Sequence, residues 1–140
     1  MKVLIIGASR GIGLEFVRQY RQEGADVTAS ARDDASLERL RALGAGAFKL
    51  DVTDASSSAG LAWQIEGAAF DVVVINAGVM GPRHTGLEPP TEADFDHVMH
   101  TNVLGPMWLL PQLKDVVAPG GRLAVISSRM GSVKIGRAHV

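Results

Sequence analysis

The chain has 140 residues, 46% of them hydrophobic, a formal net charge of −1 and no cysteine. This is one domain's worth of chain, large enough to bury a core. Near-neutrality removes the electrostatic case for nucleic acid or an anionic membrane as partner, and the lack of thiols excludes a disulfide framework and a thiolate metal site. No apolar run approaches a membrane span, and Met1-Lys2 with four apolar residues and a glycine is short of a secretory h-region, so a cytoplasmic protein is expected.

Apolar runs alternate with helix-period stretches, the pattern of βαβ units around a parallel sheet. Val3-Leu4-Ile5-Ile6 predicts a strand over residues 2–6 whose two faces are both covered. Beyond the glycine-rich segment 7–13, Ile12, Phe16 and Tyr20 recur at i, i+4, i+8 and predict the buried stripe of a first helix. A second strand is expected over 26–30. Leu37, Leu40 and Leu43 then form a second helical stripe that Gly44 stops. A third strand covers 47–50, and a third helix begins near residues 56–58 and carries Leu61 and Ile65. Val72-Val73-Val74-Ile75 predicts a fourth buried strand over 71–75. Thr91-x-x-Asp94 reads as an N-terminal cap. It leads through Phe95, Val98 and Met99 into a helical stretch over 102–117, where Pro106 and Pro111 predict a bend or short break. A fifth strand is expected over 122–126. Without linker, repeat or low-complexity segment, the expectation is one doubly wound α/β domain.

Gly7-Ala8-Ser9-Arg10-Gly11-Ile12-Gly13 directly follows the first strand. A strand ending at Gly7 and a helix opening near Gly11 would turn unpaired N–H groups and the positive helix end toward a pyrophosphate. Glycines suit that turn because a Cβ would block the approach of backbone to phosphate and of helix to strand. The segment therefore predicts a dinucleotide site at the first strand-to-helix turn.

Four further motifs follow in order: Asp51-Val52-Thr53-Asp54, Asn76-Ala77-Gly78, Asn102-Val103 and Ile126-Ser127-Ser128. Together with the glycine turn they resemble the short-chain dehydrogenase/reductases. Leu14-Glu15, Asn102-Val103-Leu104-Gly105-Pro106 and Ser127-Ser128-Arg129-Met130-Gly131 look most like the branch with C-factor and sniffer-type carbonyl reductases. The resemblance implies a Rossmann sheet of order 3-2-1-4-5-6-7, of which strands 1 to 5 are expected here. Strands 6 and 7 and the helix bearing the family's Tyr-x3-Lys would be missing. It also implies that the Asp51 carboxylate accepts from the adenine amino group, that the Val52 N–H caps the ring, and that Asn76-Ala77-Gly78 lets the ribose lie against backbone. Members preferring NAD carry an acid at the end of the second strand. Here Ser30-Ala31 stands there, followed by Arg32, with Arg10 in the glycine turn. Two guanidinium groups suit a 2′-phosphate, so NADP(H) is expected over NAD(H).

By the same resemblance Ser128, the second serine of the pair, orients a substrate carbonyl and Asn102 supports a proton-relay water, with a small carbonyl or alcohol as substrate. The partnering tyrosine and lysine have no counterpart: the single tyrosine is Tyr20, and Lys134 has Met130 four residues before it. The complete parent is expected to be an oxidoreductase and a homodimer or homotetramer, and the 140 residues inactive. The alternative is a non-catalytic NADP(H)-binding sensor, which absence of Tyr-x3-Lys from the complete gene would favour. Ile135-Gly136-Arg137-Ala138-His139-Val140 matches the translation of a common sequencing adapter. Residues 1–133 are therefore read as a truncated nucleotide-binding domain and 134–140 as a non-native tail. Loss of packing partners is expected to expose Leu104, Trp108 and Leu109 and to make the fragment marginal and aggregation-prone. His97 and His100 beside Asp94 and Asp96 lack a third convergent ligand, so no metal is expected. His84 is read as flanking the cleft or solvent.

Overall fold

The computed structural model describes residues 1–83 and 85–127. His84, Ser128, Met130, Lys134 and the segment 135–140 lie outside the described residues. The elements run β1 (Lys2–Ile6), α1 (Gly11–Gln22), β2 (Asp26–Ala31), α2 (Asp34–Ala42), β3 (Gly46–Lys49), α3 (Ala55–Ala59), α4 (Leu61–Gln64), β4 (Phe70–Ile75), α5 (Glu92–Met99), a π-helical turn (His100–Leu104), α6 (Gly105–Leu113), a 3-10 turn (Lys114–Val116) and β5 (Val117–Val125). The strands form one sheet of order β3-β2-β1-β4-β5, every neighbouring pair parallel. Each expected strand is present, the first with the expected bounds and the next three with ends shifted by one residue.

Unbroken apolar runs in β1 and β4 follow from the two layers that cover them. Val3 and Ile5, with Ala29 and Val74, pack against Val17 of α1 and Leu37 and Leu40 of α2. Their neighbours Leu4 and Ile6, with Val73 and Ile75, face Leu61, Leu109 and Leu113. Successive strand residues point to opposite faces, so a strand sandwiched between helix layers has no polar side to show.

Four expectations are corrected in detail. On α1 the buried positions are Gly13 and Val17, with Phe16 and Tyr20 only half-buried and Ile12 62% exposed. The helix is rolled so that Gly13, which lacks a Cβ, meets the turn after β1, which carries Ile12 to the outer side. The third helix is two short ones joined at Gly60. Gln112 of α6 enters between their turns, accepting from the Ala62 N–H (3.0 Å) and donating to the Ser58 carbonyl (2.7 Å), the two groups a continuous helix would pair directly. β5 begins at Val117, not 122. Phe70 pairs with Val117 and Val72 with Arg122, so residues 118–121 bulge out, with Gly120 at φ +78°.

The long helical stretch is continuous from α5 to the 3-10 turn, with its irregularity ahead of Pro106. A proline ring collides with the carbonyl four residues back and offers no N–H to it. For Pro106 that carbonyl belongs to Asn102, and the turn widens so that the Gly105 N–H reaches the His100 carbonyl. Thr91 caps α5 as expected, its hydroxyl accepting from the Asp94 N–H at 3.1 Å. The exposed apolar face is not Leu104, Trp108 and Leu109. Leu109 is 0% exposed and the other two are half-buried, whereas Phe95, Met99, Val103 and Met107 stand in solvent at four-residue intervals. Among the described residues no helix is long and apolar enough to cross a membrane.

Leu109→Ala is expected to destabilise the fold by about 2–5 kcal/mol, while Met107→Ala stays within about 0.5 kcal/mol of the parent. Paired urea melts check this, and equal losses would contradict the orientation of α6.

Candidate functional site

Because β1 lies between β2 and β4, the connections leaving its two sides diverge, and a crevice opens at the carboxyl ends of the strands. It has a volume of about 310 Å³. One wall is the turn after β1, through Gly7, Ser9, Arg10, Gly11 and Ile12. The facing wall is the segment after β4, Asn76, Ala77, Gly78 and Val79. Arg32 stands at the end of β2, and Leu50, Val52, Thr53 and Thr101 complete the lining. Of the sequence-derived residues Gly13, Asp51 and Asn102 lie off the wall, and Ser128 is outside the described residues.

The three glycines of the turn are needed for different reasons. A Cβ on Gly7, at φ +87°, would fall 2.8 Å from the Ala77 nitrogen, so the β1 and β4 ends could not close together. A Cβ on Gly13 would lie 2.1 Å from the Gly7 carbonyl oxygen and 2.7 Å from Asn76 Nδ2, displacing α1 from the sheet. At Gly11, φ +58°, a Cβ would meet nothing within 4 Å. Only Gly11 leaves open space in front of the helix start. Its neighbour Arg10 is the N-cap of α1 in extended conformation and makes no side-chain cap, and the first turn holds no acid. The first amides of the helix and its positive end are thus unanswered where the cleft lies.

Polar side chains hold this turn from both sides. The Gly7 N–H donates to Ser30 Oγ (3.0 Å) and the Ala8 N–H to the Ser30 carbonyl (2.8 Å). From β4, Asn76 Nδ2 donates to the Gly7 carbonyl (3.0 Å). Ser30 and Ala31 are each about 1% exposed, so the first side chain of β2's end to reach the cleft is Arg32. The next residue, Asp33, is an acid, but its carboxylate caps α2: Oδ1 accepts from the Ser36 N–H and Oδ2 from the Ser36 hydroxyl, both at 2.8 Å. Those two bonds, aided by Arg39 and Arg32, hold its pKa below the ordinary value. Arg10 and Arg32 themselves make no hydrogen bond or salt bridge among the described residues.

Beside Val52, burial works against the charge of Asp51, but the Thr53 hydroxyl (2.6 Å) and N–H (2.9 Å), with Arg32 nearby, outweigh it and lower the pKa. Asn102 extends its amide across the cleft mouth to the main chain of Val79, donating to its carbonyl and accepting from its N–H, each at 2.7 Å. Its helix is pinned on the other side as well, since a Cβ on Gly105 would lie 2.9 Å from the Val52 carbonyl. Between them Thr101 is 5% exposed, and its hydroxyl has no partner among the described residues. Sequence reasoning missed Thr101, Val79, Leu50 and the anchoring roles of Ser30 and Asn76. The only available signal was adjacency to residues it did select. Tyr20 is off the cleft, half-buried against the β1–β2 core and stacked on Phe16 at 6.4 Å between ring centroids.

A family model described as short chain dehydrogenase matches residues 1–140. Among curated relatives, galactitol 2-dehydrogenase of Agrobacterium fabrum is 33% identical over 138 residues, covering 91% of this chain and 52% of its own. Carbonyl reductase [NADPH] 1 of Bos taurus is 31% identical over 134 residues, covering 89% and 48%. The chain therefore spans about half the length of these relatives. A crystal structure of a carbonyl reductase from Pseudomonas aeruginosa in complex with NADP superposes with a TM-score of 0.84 at 30% identity, over 94% of this chain and 60% of that one.

Gly13→Ala is expected to cost about 1–3 kcal/mol or to prevent folding, since the obstacle is backbone. Gly11→Ala is expected to fold at a cost of about 1–2 kcal/mol, from the left-handed conformation alone; denaturant titration of the pair checks the difference. The lowered pKa of Asp51 means that its ionised form favours the folded state. That contribution is complete above the unfolded value of about 3.9 and is lost as pH falls through the folded value. Thr53→Val should raise the Asp51 pKa and move acid unfolding to higher pH. NMR titration of the carboxyl, with an acid melt, reads both, and an unmoved carboxyl would contradict the assignment.

Proposed function

The chain belongs to the short-chain dehydrogenase/reductase family, and from that premise we propose that its cleft binds NADP(H) in preference to NAD(H). In the complete protein, the bound cofactor would exchange hydride with the carbon of a small carbonyl or alcohol substrate. The observation that carries the reading is the charge at the end of β2. Arg32 and Arg10 line the cleft without a hydrogen bond or salt bridge among the described residues, while the carboxylate of the neighbouring acid, Asp33, is turned onto the start of α2 as its cap. A carboxylate there would accept from a ribose 2′-hydroxyl and repel a 2′-phosphate; two guanidinium groups favour the phosphate.

The residues present fit such a group. The open space at Gly11 and the uncapped start of α1 suit a pyrophosphate. Val52 and Asp51 would hold the adenine, and Asn76, Ala77 and Gly78 offer small groups and backbone to the nicotinamide-side ribose. Asn102, by bracing Val79, would keep that wall in place beside the reacting end. Ser128 would orient the substrate carbonyl. Tyr20 packs in the α1 layer and cannot pass a proton at the cleft, so the 140 residues by themselves would bind cofactor without turnover. The exposed run Phe95, Met99, Val103 and Met107 supports self-association of the complete protein.

Titration of the chain with NADPH and NADH, read by cofactor fluorescence, is expected to give tighter binding of NADPH by roughly tenfold or more, in keeping with about 1.5–3 kcal/mol for a charge-assisted hydrogen bond. Arg10→Ala with Arg32→Ala should abolish the difference and leave NADH binding near its starting value. Equal affinities in the parent, unchanged by both substitutions, would contradict the preference.

A further inference from the structure

Arg39, on the exposed side of α2, reaches back to the glycine turn. Its Nη2 donates to the Ser9 carbonyl at 3.0 Å and to Ser36 Oγ at 2.9 Å, and the same serine is bound to Asp33. The contact joins residues thirty apart in sequence and is the third anchor on the turn, after Ser30 and Asn76. Unlike those two, which hold Gly7 and Ala8, it acts at the peptide that leads into Arg10.

A trans peptide is planar, and its C=O and N–H point in opposite directions. With the Ser9 carbonyl drawn outward onto a guanidinium, the Arg10 N–H of the same peptide is directed the other way, and Arg10 and Gly11 line the cleft. Arg10 is extended, with φ −161° and ψ 176°, and its side chain makes no cap, so no local bond restrains this peptide plane from within the turn. A cation on a carbonyl oxygen also polarises the peptide and makes its N–H a stronger donor.

We propose that Arg39 is a positioning residue for the cofactor: it fixes the Ser9–Arg10 peptide plane so that the Arg10 amide meets the dinucleotide's phosphates. The inference rests on the nucleotide-binding reading above and adds a residue that touches no ligand. Its signature differs from that of Arg32. A cation that contacts the 2′-phosphate discriminates NADPH from NADH, whereas a group that orients a main-chain donor for the pyrophosphate affects both alike.

The test is titration of the chain and its Arg39→Met, Arg39→Lys and Ser36→Ala variants with NADPH and with NADH, with a thermal melt of each. Arg39→Met is expected to weaken both nucleotides by the same factor, roughly five- to tenfold, the size of one lost hydrogen bond, at an unchanged melting temperature. Arg39→Lys should recover part of the loss, because an ammonium can still donate to the Ser9 carbonyl. Ser36→Ala, which releases Arg39 without removing it, should give a smaller loss of the same equal kind, and decides the matter if Arg39→Met fails to fold. Parent-like affinity in Arg39→Met overturns the inference, as does a loss confined to NADPH, which would make Arg39 a direct phosphate contact. A parent chain that binds neither nucleotide overturns the nucleotide-binding reading itself and this inference with it.

Discussion

The contact on which the site depends is the near touch of backbone on backbone where β1 hands over to α1. The space a Gly13 Cβ would occupy lies 2.1 Å from the Gly7 carbonyl oxygen, and that of a Gly7 Cβ lies 2.8 Å from the Ala77 nitrogen. With both positions bare, α1 is drawn down onto the sheet and the ends of β1 and β4 close together. Gly11 is then held over the strand ends with open space before it. The cleft is thus a by-product of how tightly two strand ends and one helix pack, and two of the glycines of the turn serve that packing.

Around this contact the chain separates groups that build from groups left free. Ser30, Asn76 and Arg39 spend their hydrogen bonds on the main chain of the turn, and Asp33 spends its carboxylate on the first turn of α2. Among the described residues, what remains without a hydrogen bond at the cleft is positive: Arg10, Arg32 and the start of α1. In a partly enclosed crevice such fixed charges act on an anion more strongly than they would in bulk water. The positive character of the cleft therefore follows from which polar groups the fold has already satisfied.

The helical stretch from Glu92 to Val116 braces both ends of the cleft at once. Pro106 denies the Asn102 carbonyl its usual partner and widens the turn. Asn102 clamps Val79 on one side, and Gly105 sits within contact of Val52 on the other. Buried between these contacts, the hydroxyl of Thr101, unpartnered among the described residues, carries a desolvation cost, of the kind that gathers at functional sites.

The parallel strands and most residues of the cleft wall were legible in sequence because they depend on local signals: apolar runs of strand length, a glycine turn of fixed spacing, and short motifs at strand ends; the sheet order was expected only through the family resemblance those motifs carry. Facing directions were less legible. Periodicity placed Ile12 in the core, and the expected loss of packing partners placed Leu109 outside it; the structure reverses both. One is set by the need to bring Gly13 inward, the other by how α6 rolls after the π-helical turn. Likewise no local pattern shows that Gln112 splits the third helix, that Asp33 is occupied as a cap, or that Arg39 reaches the Ser9 carbonyl thirty residues away. What the sequence by itself determined is the family, carried by motifs of contiguous residues, and with it the expected strand order and most of the residues that line the cleft. The tertiary structure alone decided which charged and polar groups there remain free to act, because that depends on which partners distant segments bring within hydrogen-bonding reach.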